Sequence, residues 1–283
     1  MDSIRISVLI CTYNRKEMLK RALIAYQNQT FRNFEIIVSS DGSSDGTDEM
    51  MRTLEKELGY SIHYIRQADL GFRKTVALNK AIRLAGGDIL VFADDDMIPP
   101  PRYLESYEKV FLSSSIPDQL LVYSKFINVD VNDPLFTEEN IRNGSYMQKA
   151  AFADRVHLFY WKLKYLLYFR KHHPRRPKLN GANFAVSATA VRAINGMDME
   201  FSGWGYEDDD LRRRLLKNGT TQAEAVCSAW SFNLGHSEAS KSTTGRPELQ
   251  GRAAYNKTLA YDENRPVRCA RGLEETEEAE ILF

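Results

Sequence analysis

The chain has 283 residues, long enough for one large domain or two small ones, and a fold of this size buries roughly 75% of its unfolded-chain surface. Lysines plus arginines number 38, and so do aspartates plus glutamates, which excludes a general electrostatic attraction to nucleic acid. The three cysteines, Cys11, Cys227 and Cys269, are odd in number and far apart, which argues against disulfides or a paired-cysteine zinc site and favours a reducing compartment.

The first hundred residues alternate strand and helix patterns. Residues 6–11 and 34–39 are short apolar runs rich in β-branched residues, typical of strands buried on both faces. A helix lies between them, with Asn14 as its expected N-cap. Further along, the pattern predicts helices near 47–58 and 75–85 and strands at 62–65 and 88–93. Four β-α units in a row predict a parallel sheet.

The second half is less regular. Residues 117–144 are typical of strand and loop, 150–173 predict one long aromatic helix with basic positions, and 179–195 form a small apolar segment. A helix is expected to begin at 207–210 and to end near Gly219. The acidic tail, 274–283, is expected to be frayed. We interpret the chain as a single domain with a donor half (1–100), a connecting region (101–178) and an acceptor and catalytic half (179–283).

Polar residues follow three of the predicted parallel strands, at residues 12–15, 41–46 and 94–96. Ligands in parallel sheets bind beyond the carboxyl ends of the strands. One such loop alone would be ordinary turn chemistry. Three loops that converge on one edge favour a ligand site.

Asp94 and Asp96 follow the fourth strand two residues apart. In an extended chain both carboxylates project to one side, while Asp95 points away. This pattern suits a hard divalent cation that bridges the two phosphates of a nucleotide diphosphate. A solvated acidic turn is the open alternative.

Segments 8–15, 39–47 and 92–96 resemble the donor half of family 2 glycosyltransferases. The resemblance implies an α/β, Rossmann-like A-type nucleotide-sugar fold, a UDP-sugar donor and a divalent cation, with Mn²⁺ favoured over Mg²⁺. It assigns the uridine to Thr12, Tyr13 and Asp41, the ribose to Asp94, and the metal to Asp96. The other implied donor contacts are Arg15, Arg73, Lys74 and Asp95.

Segments 194–198 and 203–211 are similar to the carboxy-terminal galactosyltransferase domain of β-1,4-galactosyltransferases and bacterial chondroitin-type polymerases. The resemblance implies that Asp208 is the catalytic base, that Glu207 and Asp209 bind acceptor hydroxyls, and that Trp204 stacks on a sugar. An inverting transfer does need one carboxylate to remove the acceptor proton. Acids that merely complement a helix dipole are the alternative.

His236 follows an apolar run at 225–232, where related enzymes place a metal-binding histidine, and neutral imidazole is a common ligand of such ions. Galactosyltransferase relatives have a methionine three residues earlier, where this chain has Asn233. A surface histidine is the alternative interpretation.

Segment 157–173 combines aromatic residues with a basic end, which suits a membrane interface or a lipid-linked acceptor. A helix packed on the sheet is the open alternative. No apolar stretch approaches the roughly 20 residues of a membrane-spanning helix, and no signal-peptide pattern is seen. We therefore expect a cytoplasmic protein, either soluble or peripheral at the inner face of the membrane.

These observations predict a metal-dependent, inverting glycosyltransferase. It would move a hexose or N-acetylhexosamine from a UDP-sugar to a glycan or lipid-linked saccharide in bacterial polysaccharide biosynthesis, without a nucleic-acid partner. A nucleotidyltransferase, a metal phosphohydrolase and a non-catalytic carbohydrate-binding module remain as alternatives. A dinucleotide oxidoreductase is disfavoured because residues 11–16 contain no glycine.

Overall fold

The computed structural model describes residues 5–173, 175–179, 181–235 and 247–283. The predicted β-α alternation is present at its start, as β1 (Ile6–Thr12), α1 (Lys16–Tyr26), β2 (Phe34–Ser40), α2 (Thr47–Glu57), β3 (Ser61–Arg66), α3 (Lys74–Leu84) and β4 (Ile89–Asp94). The four strands pair in parallel, in the order β3-β2-β1-β4. Both faces of β1 and β2 are buried, as their continuous apolar sequences predict.

Asn14 is not the N-cap of α1, and that prediction is wrong. Arg15 occupies the cap position, while Asn14 adopts a left-handed backbone conformation with φ 52°. The Asn14 side-chain oxygen accepts a hydrogen bond from the Ser44 backbone amide (2.7 Å). The backbone amide of Asn14 donates to Ser43 Oγ (3.0 Å). Asn14 therefore ties the loop after β1 to the loop after β2.

The remaining strands are β5 (Met97–Ile98), β6 (Leu120–Tyr123), β7 (Phe126–Asp130), β8 (Asn183–Ser187), β9 (Thr221–Glu224), β10 (Ser231–Gly235) and β11 (Glu280–Ile281). In the described ranges, the large sheet has the order β11-β3-β2-β1-β4-β8-β6-β9 and the small sheet the order β5-β10-β7. Within the large sheet, β8 and β11 run antiparallel to their neighbours. The predicted mostly parallel α/β fold is confirmed.

The later helices are α4 (Tyr103–Leu112), α5 (Glu138–Arg142), α6 (Phe152–Arg170), α7 (Ala188–Ala193), α8 (Glu207–Lys217) and α9 (Pro247–Ala260). Short 3-10 helices span Pro117–Gln119, Pro134–Phe136 and Ser145–Lys149. The large sheet has one apolar core on each face, the first with α1, α2 and α4, and the second with α3, α6, α7 and α8. Among the described residues, every helix is too short or too polar to cross a lipid bilayer.

The acidic tail is ordered, so the prediction of fraying is wrong. β11 pairs antiparallel with β3, the Leu282 amide donates to the Tyr64 carbonyl (2.9 Å), and the Tyr64 amide donates to the Phe283 carbonyl (2.9 Å). The rings of Tyr64 and Phe283 lie 5.8 Å apart. The acids of the tail precede three apolar residues that complete a sheet edge, and those apolar residues determine the structure.

The three segments inferred from sequence share one sheet. β6 of the connecting region pairs with β8 and β9 of the carboxy-terminal segment, and β8 pairs with β4 of the first segment. This continuity brings the end of β4 and the start of α8 to the same lysine, Lys74.

Candidate active site

The acidic residues after β4 form a turn. β4 ends at Asp94, and Asp95 and Asp96 lie in the turn before β5, so the extended geometry expected for Asp94 and Asp96 is not observed. Thr12 Oγ1 donates to Asp95 (2.8 Å), and Arg15 Nη1 contacts both Asp95 (3.0 Å) and Asp96 (3.3 Å). Thr12, Arg15 and Asp95, all expected at the donor, therefore hold one another in place beneath the turn.

Asp96 is buried and held from a second direction. Asn233 Nδ2, on β10, donates to Asp96 Oδ1 at 2.8 Å, and the Leu234 amide donates to the Asp96 carbonyl at 3.0 Å. Burial raises the pKa of the Asp96 carboxyl to about 8, and the carboxylates of Asp95 and Asp94 add to the effect. A positive charge near Asp96 would therefore favour its ionised form.

The carboxylates of Asp94, Asp95 and Asp96 fit a divalent cation in their chemistry, because carboxylate oxygens and a high local negative charge suit hard ions. Within the described residues, no group of three or more His, Cys, Asp or Glu side chains is arranged to hold one. His236, the predicted third ligand, lies outside the described residues.

Asp41, after β2, is clamped on both oxygens. Gln67 Nε2 donates to Oδ1 at 2.6 Å and the Arg73 amide donates to Oδ2 at 2.8 Å. Burial raises the pKa of Asp41, although both hydrogen bonds oppose the rise. The Gln67 side-chain oxygen is buried and has no hydrogen-bond partner in the described chain. Asp41 and Gln67 thus present a preorganised polar wall.

Tyr13 and Arg73 border this wall. Tyr13 is 44% exposed, and its hydroxyl donates to Asp69 Oδ2 at 2.9 Å. Arg73 donates from Nη2 to the Ala68 carbonyl at 2.8 Å. The loop after β3 therefore contacts the loop after β1 beside this wall, and the Tyr13 side chain stays partly exposed.

Lys74, at the start of α3, links the two predicted halves of the site. Its Nζ donates to Asp94 Oδ1 at 2.7 Å, and its side chain is 18% exposed. Burial lowers the pKa of this amine, but the carboxylates of Asp94, Asp208 and Glu207 outweigh burial and hold the pKa well above its ordinary value. The donor strand end and the start of α8 therefore converge on one ammonium group.

Asp208 lies at the convergence point. Its side chain is surrounded by protein yet keeps part of its surface exposed. Burial raises the pKa of Asp208 well above that of an ordinary carboxyl group, and the Glu207 carboxylate adds to the effect, while Lys74 opposes it. A carboxylate with raised proton affinity that can still be reached by a ligand suits general-base chemistry.

The other acids at the start of α8 differ in their contacts. Asp209 accepts from the Tyr261 hydroxyl (3.0 Å) and pairs with Lys178 (3.3 Å), while Asp210 pairs with Arg214 at 2.7 Å. Glu207 is 5% exposed, and its Oε2 has no hydrogen-bond partner among the described residues. Glu207 thus keeps one buried acceptor oxygen without a described partner, whereas Asp210 is held by Arg214.

Trp204 lies in a loop where the backbone turns sharply at two left-handed glycines, Gly203 (φ 73°) and Gly205 (φ 108°). Its side chain is 59% exposed. An exposed indole three residues before Glu207 in sequence could stack on the apolar face of a pyranose ring.

Sequence reasoning missed three contributors. Gln67 clamps Asp41, Asn233 holds Asp96, and Gly181 packs against the Asp208 carboxylate just before β8. Asn233 carried a signal, since it replaces an expected methionine. Gln67 and Gly181 carried none, because their roles depend on contacts between elements distant in sequence.

Two family models match the chain. The model described as "Glycosyl transferase family 2" matches residues 7–113, and the model described as "N-terminal domain of galactosyltransferase" matches residues 166–236. The first match contains the loops after β1, β2 and β4, and the second contains Asp208.

Two similar curated proteins come from bacteria. Validoxylamine A glucosyltransferase of Streptomyces hygroscopicus subsp. jinggangensis is 30% identical over 258 residues, which cover 82% of this chain and 56% of the relative. Chondroitin synthase of Escherichia coli is 28% identical over 228 residues, which cover 76% of this chain and 32% of the relative. The chain therefore spans about half the length of the first relative and a third of the second.

Among solved structures, a mannosyltransferase from Pyrobaculum calidifontis, determined with GDP-Man and Mn2+, superposes with a TM-score of 0.61 at 16% identity. The superposition covers 94% of this chain and 67% of that chain. At this identity the likeness concerns the fold, and it confirms the predicted A-type architecture.

Proposed function

We propose that this chain, which carries a glycosyl transferase family 2 region (7–113) joined to a galactosyltransferase-type region (166–236), is a divalent-cation-dependent inverting glycosyltransferase. It moves a hexose or N-acetylhexosamine from a UDP-sugar to a hydroxyl of a saccharide or lipid-linked saccharide. Asp208 is the general base.

One observation carries this proposal: two carboxylates from different regions of the chain raise the pKa of the same amine, that of Lys74. Asp94, at the end of β4, accepts a hydrogen bond from this amine, and Asp208 belongs to the galactosyltransferase-type region. A base that deprotonates an acceptor must lie close to the anomeric carbon of the bound donor. The convergence on Lys74 supports that proximity, and neither half of the chain could provide it alone.

The donor is held by the edge loops. Asp41, oriented by Gln67 and the Arg73 amide, accepts a hydrogen bond from the uracil ring of the donor. The exposed Tyr13 ring stacks on that uracil ring. Asp94, fixed by Lys74, accepts from the ribose. Because these groups are oriented before the ligand arrives, little conformational entropy is lost on binding.

Asp96, oriented by Asn233, would hold the cation, with His236 as the candidate additional ligand. When bound, the ion supplies charge neutralisation at the departing diphosphate. Arg15 lies within 3.3 Å of Asp96 and lowers its cost of ionisation, so protein and ion share the task of keeping this carboxylate charged.

The chemical step assigns each group a role. The acceptor hydroxyl gives its proton to Asp208 as its oxygen bonds to the anomeric carbon, and the bond from that carbon to the diphosphate oxygen breaks on the opposite face. UDP leaves with the bonding electron pair. Glu207, with its unsatisfied Oε2, accepts from a second acceptor hydroxyl, Asp209 supplies a further contact, and Trp204 stacks on the acceptor ring.

The test is UDP release by the purified chain with Mn²⁺ and a panel of UDP-sugars, with GDP-mannose as the control donor. We expect release from at least one UDP-sugar, increased by a saccharide acceptor. Binding without UDP release would favour a carbohydrate-binding module, and inorganic phosphate as the product would favour a phosphohydrolase. Either result would overturn the proposal.

A further inference from the structure

Helix α6 has two apolar faces, and the fold covers one of them. Leu158 and Tyr165 are buried against the second core, and the Tyr165 ring meets that of Tyr123 edge-on at 5.8 Å. Phe169 also packs on Tyr123, at 5.6 Å. A helix that is apolar on opposite sides needs two partners, and the sheet supplies one.

The opposite face carries a continuous apolar row, which we call the outer stripe. Its members recur at helical spacing and are between 45% and 82% exposed. They are Phe152, Val156, Phe159, Tyr160, Leu163, Leu166 and Leu167. At 1.5 Å per residue the stripe is about 23 Å long, and within the described chain this face meets solvent.

Strong positive charge accompanies the stripe. Residues 151–178 contain eight lysines and arginines but one acid, Asp154, in a chain whose formal net charge is +0. Four of these cations, Arg170, Lys171, Arg175 and Arg176, are exposed at and beyond the end of α6. The excess is therefore local, and it lies beside the outer stripe.

We propose that the outer stripe of α6 inserts into the interface of an anionic lipid bilayer, with the basic end of the helix on the lipid headgroups. Apolar area together with cations is the combination by which in-plane helices bind anionic membranes. A second copy of this chain fits less well. If two copies of α6 paired in parallel, their cationic ends would repel each other. If they paired antiparallel, each cationic end would meet the first half of the other helix, where Asp154 is the only acid and its charge is offset by Arg155.

The chain after α6 connects this surface to the acceptor side of the site. The Arg175 guanidinium lies 5.1 Å from the centre of the Tyr261 ring, and Tyr261 donates to Asp209. Lys178 contacts the same carboxylate at 3.3 Å. If the proposed function holds, bilayer docking therefore presents the acceptor subsite to a lipid-linked saccharide. The docking itself does not depend on the transfer reaction.

Flotation of the full chain with phosphatidylcholine vesicles, with and without 30% phosphatidylglycerol, tests the proposal. We expect about tenfold or greater enrichment on the anionic vesicles, reduced in 1 M NaCl by screening. Replacing Phe159, Leu163 and Leu167 together by Gln should abolish flotation. The matched control, Leu112→Gln with Ile116→Gln, changes exposed apolar residues elsewhere and should float like the parent.

Circular dichroism and thermal unfolding of each variant separate loss of docking from loss of folding. A Lys171→Gln, Arg175→Gln variant, which leaves the stripe intact, should lose the preference for phosphatidylglycerol. Equal flotation of the triple variant and the parent, or no flotation of the parent, would overturn the proposal. A dimer that dissociates in the triple variant would also overturn it in favour of self-association. None of these readouts requires transferase activity, so they remain decisive if no sugar donor is found.

Discussion

Gly181 lies so close to Asp208 that a Cβ at position 181 would stand 2.0 Å from Asp208 Oδ2 and 2.5 Å from its carboxyl carbon. Gly181→Ala therefore must displace the proposed base. We expect UDP-sugar transfer to fall by about 100-fold or more, since misplacing a reacting group by about 1 Å has that effect. Gly59→Ala is the control, because a Cβ there meets nothing within 4 Å. Unchanged transfer in Gly181→Ala would remove Asp208 as the base.

Asp208→Asn should reduce the rate of transfer by about 10²- to 10⁴-fold, and it should also stabilise the folded protein. Burial raises the pKa of Asp208, so the folded protein binds this proton more tightly than the unfolded chain, and the carboxyl costs stability as pH rises above its unfolded pKa of about 3.9. In EDTA, the melting temperature of the variant should exceed that of the parent at pH 8, and the difference should shrink at pH 4.

The matched substitution Asp210→Asn on the same helix should act in the opposite direction. Burial raises the pKa of Asp210 as well, but the substitution removes the carboxylate that pairs with buried Arg214, and breaking such a pair costs about 3 kcal/mol or more. The melting temperature should fall by several degrees, since 1 kcal/mol corresponds to about 2–4 °C in chains of roughly this size. If both substitutions destabilise the protein equally, the contrast drawn between Asp208 and Asp210 is wrong.

The pH dependence of kcat/KM should report Asp208. A base must be ionised, so activity rises with pH, through an apparent pKa above the ordinary carboxyl range. Burial is the main cause, and the Glu207 carboxylate adds to it, so Glu207→Gln should move the acidic limb to lower pH besides reducing the rate. Glu55→Gln, at an exposed position on α2, is the control. An acidic limb that does not move would contradict the proposed coupling.

Metal activation should depend on Asn233. Chelation should stop transfer and Mn²⁺ should restore it, because Asp96 is proposed to hold the ion. Asn233→Ala removes the 2.8 Å hydrogen bond that orients Asp96, and loss of such outer contacts weakens metal affinity by about 10–100-fold. A titration of activity against Mn²⁺ measures this shift, with exposed Asn132→Ala as the control. Activity that survives exhaustive chelation would exclude the metal-dependent mechanism.

Much of the fold could be predicted because its first half obeys local rules. Continuous apolar runs gave β1, β2 and β4, and helical spacing gave the helices between them. The Asn14 cap and the frayed tail were wrong for the same physical reason. The conformation of Asn14 is determined by Ser43 and Ser44 on another loop, and β11 is ordered by pairing with β3. Neither partner is visible to a local pattern.

The sequence predicted which residues lie at the candidate site, but not which of them bond to one another and which are left to contact a ligand. Thr12 and Arg15 both bond to Asp95, although the family resemblance implied a donor contact for each of the three residues. Hydrogen bonds between loops decide which polar side chains face inward. The convergence of Asp94 and Asp208 on Lys74 likewise arises from α3 lying between distant segments, which spacing along the chain cannot encode.

The antiparallel strand β11 also protects the molecule against association. Without it, β3 would be the last strand of the large sheet, with unpaired amides and carbonyls that could recruit a strand from another molecule. The short acidic segment occupies those groups and places Glu280 on the new outer edge, where its charge repels a further strand. The segment whose acidic composition predicted fraying thus covers the edge of the large sheet and opposes aggregation by strand pairing.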